Sequence, residues 1–401
     1  MTLLILIALA IPQDDPQEWI IRLGAATPLE REEAARRLQA LGEAGLERLE
    51  RAREGAGDPA IKARLGAVIV RIRTGTELAK VFGPAPRVTI AARGWLLKDI
   101  LSRLRLPGIA GVDAGVFDAE AKLDLQLRDV TWWEALDRVC ETAGARHGLE
   151  GLADGRTQVS LTRGALLRDP VMYVDRFRIM VSQTNLYEGN SGKAASVNVE
   201  VRHTPDVKPG GRSSDSIMKF ESVLDAKGME VRIDRPSWGE RKTPIMGPLA
   251  TRGIVWVRHD AAEPLAVIGT TDIPFAKATR EISLDLEGAR SVLLVGDVQV
   301  RVESYKELDK GPRMTIRAEG ENVPDLADRL DTASVVLIDG EGRRHAGSAQ
   351  AGGGGTSSCR WDFEFSTGIR APRMVVLRWV TEFHRVRIPF RLEGVTLPGF
   401  K

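Results

Sequence analysis

Side chains able to do acid–base or metal chemistry are few in this sequence and widely spaced. None of the histidines has the H-x-x-x-H or H-x-H spacing that places two imidazoles on one metal ion; they are His147, His203, His259, His345 and His384. No G-x-S-x-G nucleophile motif is present. The acidic pair Asp14-Asp15 lies in a polar stretch where solvation accounts for it. The residues therefore predict no enzyme, no metal and no cofactor.

Aromatic side chains in turn-rich stretches are better candidates for a binding surface. Trp238 and Tyr187 each lie among glycine, serine, proline or asparagine residues, where an aromatic ring can stack on a sugar or anchor a partner protein. The other interpretation is a ring folded back onto its own domain. Trp132 is the third candidate, because it adjoins Trp133 at a predicted helix start and neighbouring helical positions face different directions. Packing between domains is its favoured use.

A glycine run also invites a phosphate-binding interpretation. Gly352–Gly355 is rich enough in glycine to cradle a phosphate, but a P-loop ends in Gly-Lys-Ser/Thr and opens a helix. Here Cys359-Arg360-Trp361 leads into a predicted strand. We therefore predict a flexible hairpin loop at this run.

Length and charge limit the class of protein. A chain of 401 residues with 43% hydrophobic residues fills several domain cores, because single cores of this size are unusual. Lys plus Arg number 57 and Asp plus Glu 55, a net charge of +2, so no overall field attracts nucleic acid. We predict no nucleic-acid partner. Cys140 and Cys359 fall in different predicted regions, which favours two free thiols over a disulfide.

The first residues indicate a compartment. Residues 3–10 form an apolar run that ends in Ala8-Leu9-Ala10, the small-residue pattern of a signal-peptide cleavage site, although Met1-Thr2 lacks the usual Lys or Arg. We predict a signal peptide over residues 1–10 and export to the periplasm or the extracytoplasmic surface. No later apolar run is long enough to predict a transmembrane span in the mature chain. The alternative is the apolar N-terminus of a cytosolic protein.

Residues 17–75 have the spacing of an α-helical block. Thr27-Pro28-Leu29-Glu30 is a capping box with proline at the first helical position. The pieces Glu33–Leu38 and Asp58–Arg64 resemble HEAT-type helical repeats. The block holds about one and a half such repeats, whereas solenoids need several stacked units to bury a core. We expect it to pack against another domain, a partner or a second copy.

Residues 86–163 alternate between strand and helix patterns. Lys122–Arg128 alternates apolar and polar residues, as a half-buried strand does, and Gly94 is interpreted as a turn between the first strand and its helix. The order predicted is βαβαββ, carried by Arg87–Ala91, Trp95–Leu104, Lys122–Arg128, Trp132–Ala143, and a hairpin of His147–Leu149 with Thr157–Leu161.

This module resembles the short N-terminal domain shared by secretins and TonB-dependent receptors. The matching pieces are Val88-Thr89-Ile90 with its following helix, and Leu123–Asp137, in which a strand and a Val-Thr step precede a helix that opens with Glu-Ala-Leu. The resemblance implies a place in the bacterial cell envelope and contacts with other proteins. The alternative is an α+β domain of ordinary packing.

After Asp169-Pro170 the sequence changes to short β-branched runs separated by Gly, Pro and Asp, which is typical of β-sandwiches. Predicted strands include Met172–Val181, Leu265–Gly269, Ile282–Leu286, Met374–Thr381 and Phe383–Phe390.

Two short internal echoes suggest a duplication of this β-rich part. Leu224–Gly228 is echoed by Ile338–Gly342, and Ile273–Phe275 by Ile388–Phe390. We predict two β-sandwiches of related plan over residues 170–280 and 281–401, split near Arg280.

The predicted fold class is multidomain α+β: an N-terminal helical HEAT-like block, a small βαβαββ module, and two mainly antiparallel β-sandwich domains. We predict a non-catalytic exported binding or scaffold protein of the bacterial envelope that contacts an envelope protein, in a secretion system or in outer-membrane assembly. A glycan is the other partner class. The alternatives are an enzyme that processes envelope polysaccharide or peptide with a site in the β-rich half, and a cytosolic helical-repeat adaptor.

Overall fold

The protein is a mixed α+β chain with several antiparallel sheets. The structure is a computed structural model that describes residues 15–113, 119–151, 157–164, 170–189, 192–207, 217–231, 250–258, 263–286, 292–309, 311–321, 323, 326, 329–354 and 357–398. The predicted signal peptide lies outside these ranges. Within them, no helix combines the length and the apolar character that crossing a membrane requires. The chain forms two compact units, one ending at Val81 and the other beginning at Phe82.

The first unit is helical. Its elements are α1 (Pro16–Arg22), α2 (Pro28–Gln39), a 3-10 turn (Glu43–Gly45), α3 (Leu46–Gly55) and the start of α4 (Pro59–Phe82). The helices share a core of their own, made of Ile20, Leu23, Ala34, Ala35, Leu38, Leu49, Leu65, Val68, Ile69 and Ile72. Helix α4 continues beyond the predicted end of the block at residue 75, because Gly75 does not break a helix whose next apolar residue, Leu78, is buried.

Side-chain contacts fix the helix starts and pairs in this unit. Thr27 Oγ1 accepts a hydrogen bond from the Glu30 amide at 3.2 Å and donates to Glu30 Oε2 at 2.7 Å, which confirms the predicted cap. The guanidinium of Arg71 on α4 makes a two-pronged pair with Glu32 on α2, at 2.9 and 3.2 Å. With only 6% of its side chain exposed, Arg71 ties the two helices together within the unit.

The second unit begins with the βα module. Its elements are β1 (Arg87–Leu96), α5 (Leu97–Ser102), β2 (Ile109–Asp113), β3 (Lys122–Thr131), α6 (Trp132–Ala143), β4 (Ala145–Gly151) and β5 (Thr157–Arg163). Strands β1 and β3 form a two-stranded antiparallel sheet, and β5 pairs in parallel with β2 and antiparallel with β4. One apolar core is shared by both helices and both sheets. The order is βαββαββ, so the predicted βαβαββ order lacked strand β2.

The start of the module also differs from the prediction, whereas its second half agrees. Gly94 adopts φ +61° within a bulge of β1, so the strand continues to Leu96 and the helix is shorter than predicted. Helix α6 begins after Thr131, whose Oγ1 accepts from the Glu134 amide at 3.3 Å, and ends at Gly144 with φ +67°. The predicted hairpin is present, with His147 opposite Leu161.

The remaining strands form three sheets. They are β6 (Val171–Val174), β7 (Phe177–Gly189), β8 (Gly192–His203), β9 (Ile217–Leu224), β10 (Glu230–Val231), β11 (Ala250–Arg258), β12 (Leu265–Asp285), β13 (Val292–Val295), β14 (Val298–Lys306), β15 (Arg313–Glu319), β16 (Leu330–Asp339), β17 (Arg344–Ala346), β18 (Ser348–Gly354), β19 (Ser358–Glu364) and β20 (Pro372–Val395). The first outer sheet has the order β11-β8-β7-β6, the central sheet β10-β9-β12-β20-β16-β17, and the second outer sheet β13-β14-β15-β19-β18.

Each outer sheet packs on one half of the central sheet. In the first sandwich the rings of Phe177 on β7 and Phe275 on β12 lie with centroids 5.9 Å apart. In the second, Ile282 of β12 and Leu377 of β20 share a core with Ile316 of β15. The glycine run predicted as a loop is partly strand, because Gly352 to Gly354 of β18 pair with β19; Gly355 lies outside the described residues.

The two sandwiches share their longest strands. Strand β12 pairs with β20 from Leu265 opposite Val395 to Asp285 opposite Met374. The start of β12 also pairs with β9, and the start of β20 with β16, so each strand begins in one sandwich and ends in the other. The predicted boundary near Arg280 therefore falls inside a continuous strand, and the strands predicted separately on each side of it are joined.

The strand orders of the two halves of the β-rich part correspond. Going outward from the shared β12–β20 pair, β9 and β10 on one side match β16 and β17 on the other, and β6-β7-β8-β11 matches β13-β14-β15-β19. The hairpin turns agree in detail, since Asp225 Oδ1 accepts from the amides of Lys227 and Met229 while Asp339 Oδ1 accepts from those of Glu341 and Arg343. This echo supports the related plan of the two halves.

The second echo has a different meaning. Ile273-Pro274-Phe275 and Ile388-Pro389-Phe390 lie on paired stretches of β12 and β20 within the first sandwich, with Thr270 opposite Pro389. They are not equivalent positions of two repeats. Ile273 and Ile388 are both buried because both stretches supply one core.

Candidate functional site

The outward face of the first outer sheet carries the predicted aromatic residue Tyr187. Alternation along β8 buries Val197, Val199 and Val201 against the central sheet and turns the residues between them outward. The strand register extends these outward positions into rows across the sheet, namely Trp256–Ser196–Asn185 and Ile254–Asn198–Gln183 across β11, β8 and β7, and Glu200–Met180 across β8 and β7.

The βα module covers one half of this face. Tyr173 of β6 belongs to the core of the module, and Val171 packs against that core. Tyr173 lies opposite Arg178 of β7 in the register. Arg178 Nε donates to Asp137 Oδ2 of helix α6 at 2.7 Å. The module is therefore attached to the sheet by apolar packing and by a charged contact.

Asp137 is the centre of a buried polar network. Its carboxylate accepts from Tyr173 Oη at 2.6 Å and from Arg178 Nε at 2.7 Å, and contacts His147 Nε2 at 2.8 Å. The exposed fractions of the Asp137, Arg178 and His147 side chains are 10%, 4% and 3%. Residues from α6, β4, β6 and β7 thus meet on one carboxylate away from water.

The charges of this network follow from its surroundings. Burial alone would raise the pKa of Asp137, but Arg178 and the hydrogen bonds from His147 and Tyr173 lower that pKa well below its ordinary value. Burial lowers the pKa of His147 and raises the pKa of Tyr173. At neutral pH the network therefore holds a carboxylate and a guanidinium that compensate each other, with a neutral imidazole and a neutral phenol.

This network contains the residue types of a catalytic site, but a substrate cannot reach them. An Asp–His pair can act as a general base when the imidazole reaches a substrate. Here the ring of Trp133 packs against the imidazole of His147, with the ring centroids 5.8 Å apart. The His147 side chain is almost fully buried. Burial also raises the pKa of the neighbouring Cys140 thiol, which keeps it protonated. The network holds two parts of the fold together.

The other half of the face is open and aromatic. Tyr187 is 48% exposed, and its ring packs against that of Trp256. The two ring centroids are 4.7 Å apart, and the ring planes meet at 56°. These residues come from β7 and β11, which lie on opposite sides of β8 and so about 10 Å apart. The rings meet because Ala194 and Ser196 on β8 are small, and Ser196 is only 1% exposed.

Amide side chains extend this aromatic pair. Asn198 Nδ2 donates to the Gln183 carbonyl at 3.3 Å, Gln183 Nε2 donates to Asn185 Oδ1 at 2.7 Å, and Asn185 Nδ2 approaches Ser196 Oγ at 3.5 Å. Ile254, 47% exposed, lies opposite Asn198 on β11. We call Tyr187, Trp256, Asn185, Gln183, Asn198, Ser196 and Ile254 the aromatic face.

The three predicted aromatic candidates have different outcomes. Tyr187 is exposed and lies on a strand end rather than in a free loop. Trp132 is not a surface residue, since it is 1% exposed and its Nε1 donates to the Leu104 carbonyl at 2.7 Å. Trp133 lies with Trp132 in the apolar core of the module, because α6 is covered both by the rest of the module and by β7. Trp238 lies outside the described residues.

Sequence reasoning missed Trp256. The residue stands between Val255 and Val257, which are buried, so its position in the alternation of β11 points it outward. A tryptophan at the outward position of a strand with small residues opposite was the signal that could have found it.

A second polar cluster lies at the turn between β6 and β7. Arg176 donates to Asp206 Oδ2 at 3.0 Å and to the carbonyls of Phe82 and Pro84 at 2.9 and 3.1 Å. Asp175 has φ +52°, and burial raises its pKa to about 6. Its Oδ2 and Thr204 Oγ1 are buried without a hydrogen-bond partner among the described residues, which suits ordered water.

Metal chemistry has no support in the described ranges. There, no group of at least three His, Cys, Asp or Glu side chains is placed to hold a metal ion. His345 contacts Asp339 at 3.0 Å in a hairpin, in the same manner as His147 contacts Asp137. Cys140 and Cys359 are both buried and are not joined by a disulfide, as predicted.

Comparison with known proteins does not identify the chain. No protein-family model matches it, and no curated protein matches it. Among solved structures, a conserved domain protein from Bacillus anthracis is similar over 56% of this chain and 89% of that chain, at 8% sequence identity and a TM-score of 0.19. A likeness at this level carries no argument about fold or function.

Proposed function

We propose that this chain is a non-catalytic binding or scaffold protein of the bacterial cell envelope. The observation that carries the proposal is the division of the first outer sheet between two uses. Its charged half is buried under the βα module, in contact with Asp137, and its open half is the aromatic face. Aromatic rings that stay exposed while acid–base groups are buried are the pattern of a binding surface.

The address in the envelope is part of the same proposal. Its support is the apolar run that ends at Ala10 and the order of the βα module, in which two strand–helix passages precede a hairpin. We also propose that the module is related to the secretin and TonB N-terminal domain, and that the helices are related to HEAT repeats. In this proposal, the module and the β-rich half contact envelope proteins.

The experiment is retention on an envelope fraction by the purified full chain and by variants of the aromatic face. We expect Tyr187→Ala and Trp256→Ala to reduce retention without changing the thermal midpoint by more than a few degrees. Ile21→Ala is the control, because Ile21 is 66% exposed on α1, outside both the module and the aromatic face. Equal retention of all these variants, or release of soluble fragments from envelope polysaccharide by the wild type, would contradict the proposal.

A second measurement tests the address. The full chain, expressed in a bacterium with a C-terminal tag, should appear outside the cytoplasm with Ile11 as its first residue. A protein that stays in the cytoplasm with Met1 in place would instead favour the helical-repeat adaptor.

A further inference from the structure

We propose that the aromatic face binds an uncharged carbohydrate chain, an inference that rests on the proposed binding function. The face joins three properties that a sugar ring requires of a protein: an exposed aromatic surface, hydrogen-bonding side chains beside it, and no charge among its described side chains.

The aromatic pair supplies the stacking surface. A pyranose presents C–H groups on one side of its ring, and these pack against the electron-rich face of an aromatic ring. Tyr187 and Trp256 meet at 56° rather than lying coplanar, so their rings form an open angle above β8. Ser196 at the base of this angle is almost fully covered, which shows that the rings lie across the sheet instead of extending into solvent.

The amides supply the directional contacts. An asparagine or glutamine side chain has two N–H donors and an oxygen with two acceptor positions. The contacts of Gln183, Asn185 and Asn198 with one another and with Ser196 use part of that capacity and hold the amides in place. Gln183 is exposed next to the partly exposed Asn198, so its carbonyl and amide groups can bind neighbouring hydroxyl groups.

The absence of charged groups among the described side chains of the aromatic face favours a sugar over a protein segment as its ligand. The equivalent face of the second sandwich is a ladder of ion pairs, in which Arg317 contacts Glu303 and Glu319 and Arg360 contacts Asp362. The aromatic face has aromatic, amide, hydroxyl and aliphatic groups in place of these charges. Charged side chains begin in the next row of β8, where Glu200 contacts Arg202. Protein–protein interfaces are usually enriched in arginine, which often anchors the partner. An uncharged face with rings and amides matches an uncharged ligand rich in hydroxyl groups.

Titration of the full chain with three neutral hexasaccharides tests the inference: the β-1,4-linked N-acetylglucosamine, β-1,4-linked glucose and α-1,4-linked glucose oligomers. We expect at least one to bind and to change tryptophan fluorescence, with affinity reduced about tenfold by Tyr187→Ala and by Trp256→Ala. Gln183→Ala should weaken binding without loss of stability, because the side chain is exposed. Ile21→Ala should bind as the wild type does.

A treated envelope fraction separates failure of this inference from failure of the proposed function. Retention that is abolished by periodate and survives protease supports a carbohydrate ligand. Retention that depends on Tyr187 but is abolished by protease and survives periodate, with no hexasaccharide bound at millimolar concentration, overturns the carbohydrate and leaves the binding function in place. If the Tyr187 and Trp256 variants keep full retention and full affinity, both the carbohydrate inference and the proposed binding function are overturned.

Discussion

Replacement of Asp137 by alanine tests how the βα module is held on the first outer sheet. The change removes the carboxylate that accepts from Tyr173 and Arg178 and contacts His147. It leaves the guanidinium of Arg178, 4% exposed, without its nearest negative charge. Breaking a buried ion pair from one side costs about 3–5 kcal/mol, because the remaining charge stays desolvated.

The structure places the expected loss within that range. The hydrogen bonds from Tyr173 and His147, worth about 1 kcal/mol each, are lost with the same carboxylate and form part of that cost. Glu200 also acts on Arg178 and offsets part of the uncompensated charge. We therefore expect the free energy of unfolding to fall by about 3–4 kcal/mol in Asp137→Ala.

The matched control is a double-mutant cycle with Arg178→Met, which removes the charge and keeps an apolar stem. Removing both members of a buried pair costs less than the sum of the single changes, so the double variant should recover about 2 kcal/mol or more. Urea unfolding should be combined with hydrogen exchange in α6 and β7, since a chain with several domains need not unfold in one step.

Two results would refute this account. A loss below about 1 kcal/mol in Asp137→Ala would show that the network does not carry the attachment. Additive effects in the double variant would show that Asp137 and Arg178 act independently, contrary to their 2.7 Å contact.

Three further outcomes are expected. Asp175 has a folded-state pKa of about 6 against an ordinary 3.8, so its ionisation costs stability as pH rises through this window; Asp175→Asn should stabilise the chain at pH 8 by at most about 3 kcal/mol and have no effect near pH 3, as measured by urea unfolding. Asp339→Asn should lower the thermal midpoint more than Asp225→Asn, because only Asp339 also accepts from an arginine and contacts a histidine; equal midpoints would contradict that difference. Deletion of residues 383–401 should expose the first sandwich to hydrogen exchange, although most of that sandwich lies more than 100 residues earlier in the sequence; protection unchanged in β7 and β8 would show that β20 is dispensable there.

Local signals in the sequence predicted local structure well. The capping box at Thr27, the helix from Trp132 to Ala143 and the hairpin around His147 follow from side-chain chemistry and spacing within a few residues, and the structure has each of them. The family resemblance of the module and the export signal stay predictions.

The long shared strands were not predictable in this way. Pro274 and Pro389 suggest strand ends, because proline lacks the N–H that a central strand needs. In the structure the pairing of β9 with β12 ends at Asp272, and Pro389 lies where β20 pairs with β12. Each proline thus has a described strand partner on one side only, and a strand paired on one side at that position can lack the proline's N–H donor. Pairing partners more than 100 residues apart decide this, and a local pattern does not contain them.

The aromatic face was half predictable. Tyr187 was recognised from its turn-rich surroundings, and Trp256 was not, because their contact depends on the small Ala194 and Ser196 of a third strand. The burial of Trp132 and Trp133 together depends on β7, which covers the side of α6 that a helix–sheet pattern alone leaves open.

The reciprocal use of β12 and β20 has a consequence for the order of folding. Synthesis proceeds from the N-terminus, so β6 to β11 are complete long before residues 383–395 of β20 exist. During that interval β12 lacks its main partner, and its buried residues, such as Ile273, face an unfinished sheet edge. Contacts this distant in sequence also form slowly. The first sandwich can therefore close only after residues 383–395 of β20 have been synthesised, and until then its unpaired strand edge favours aggregation.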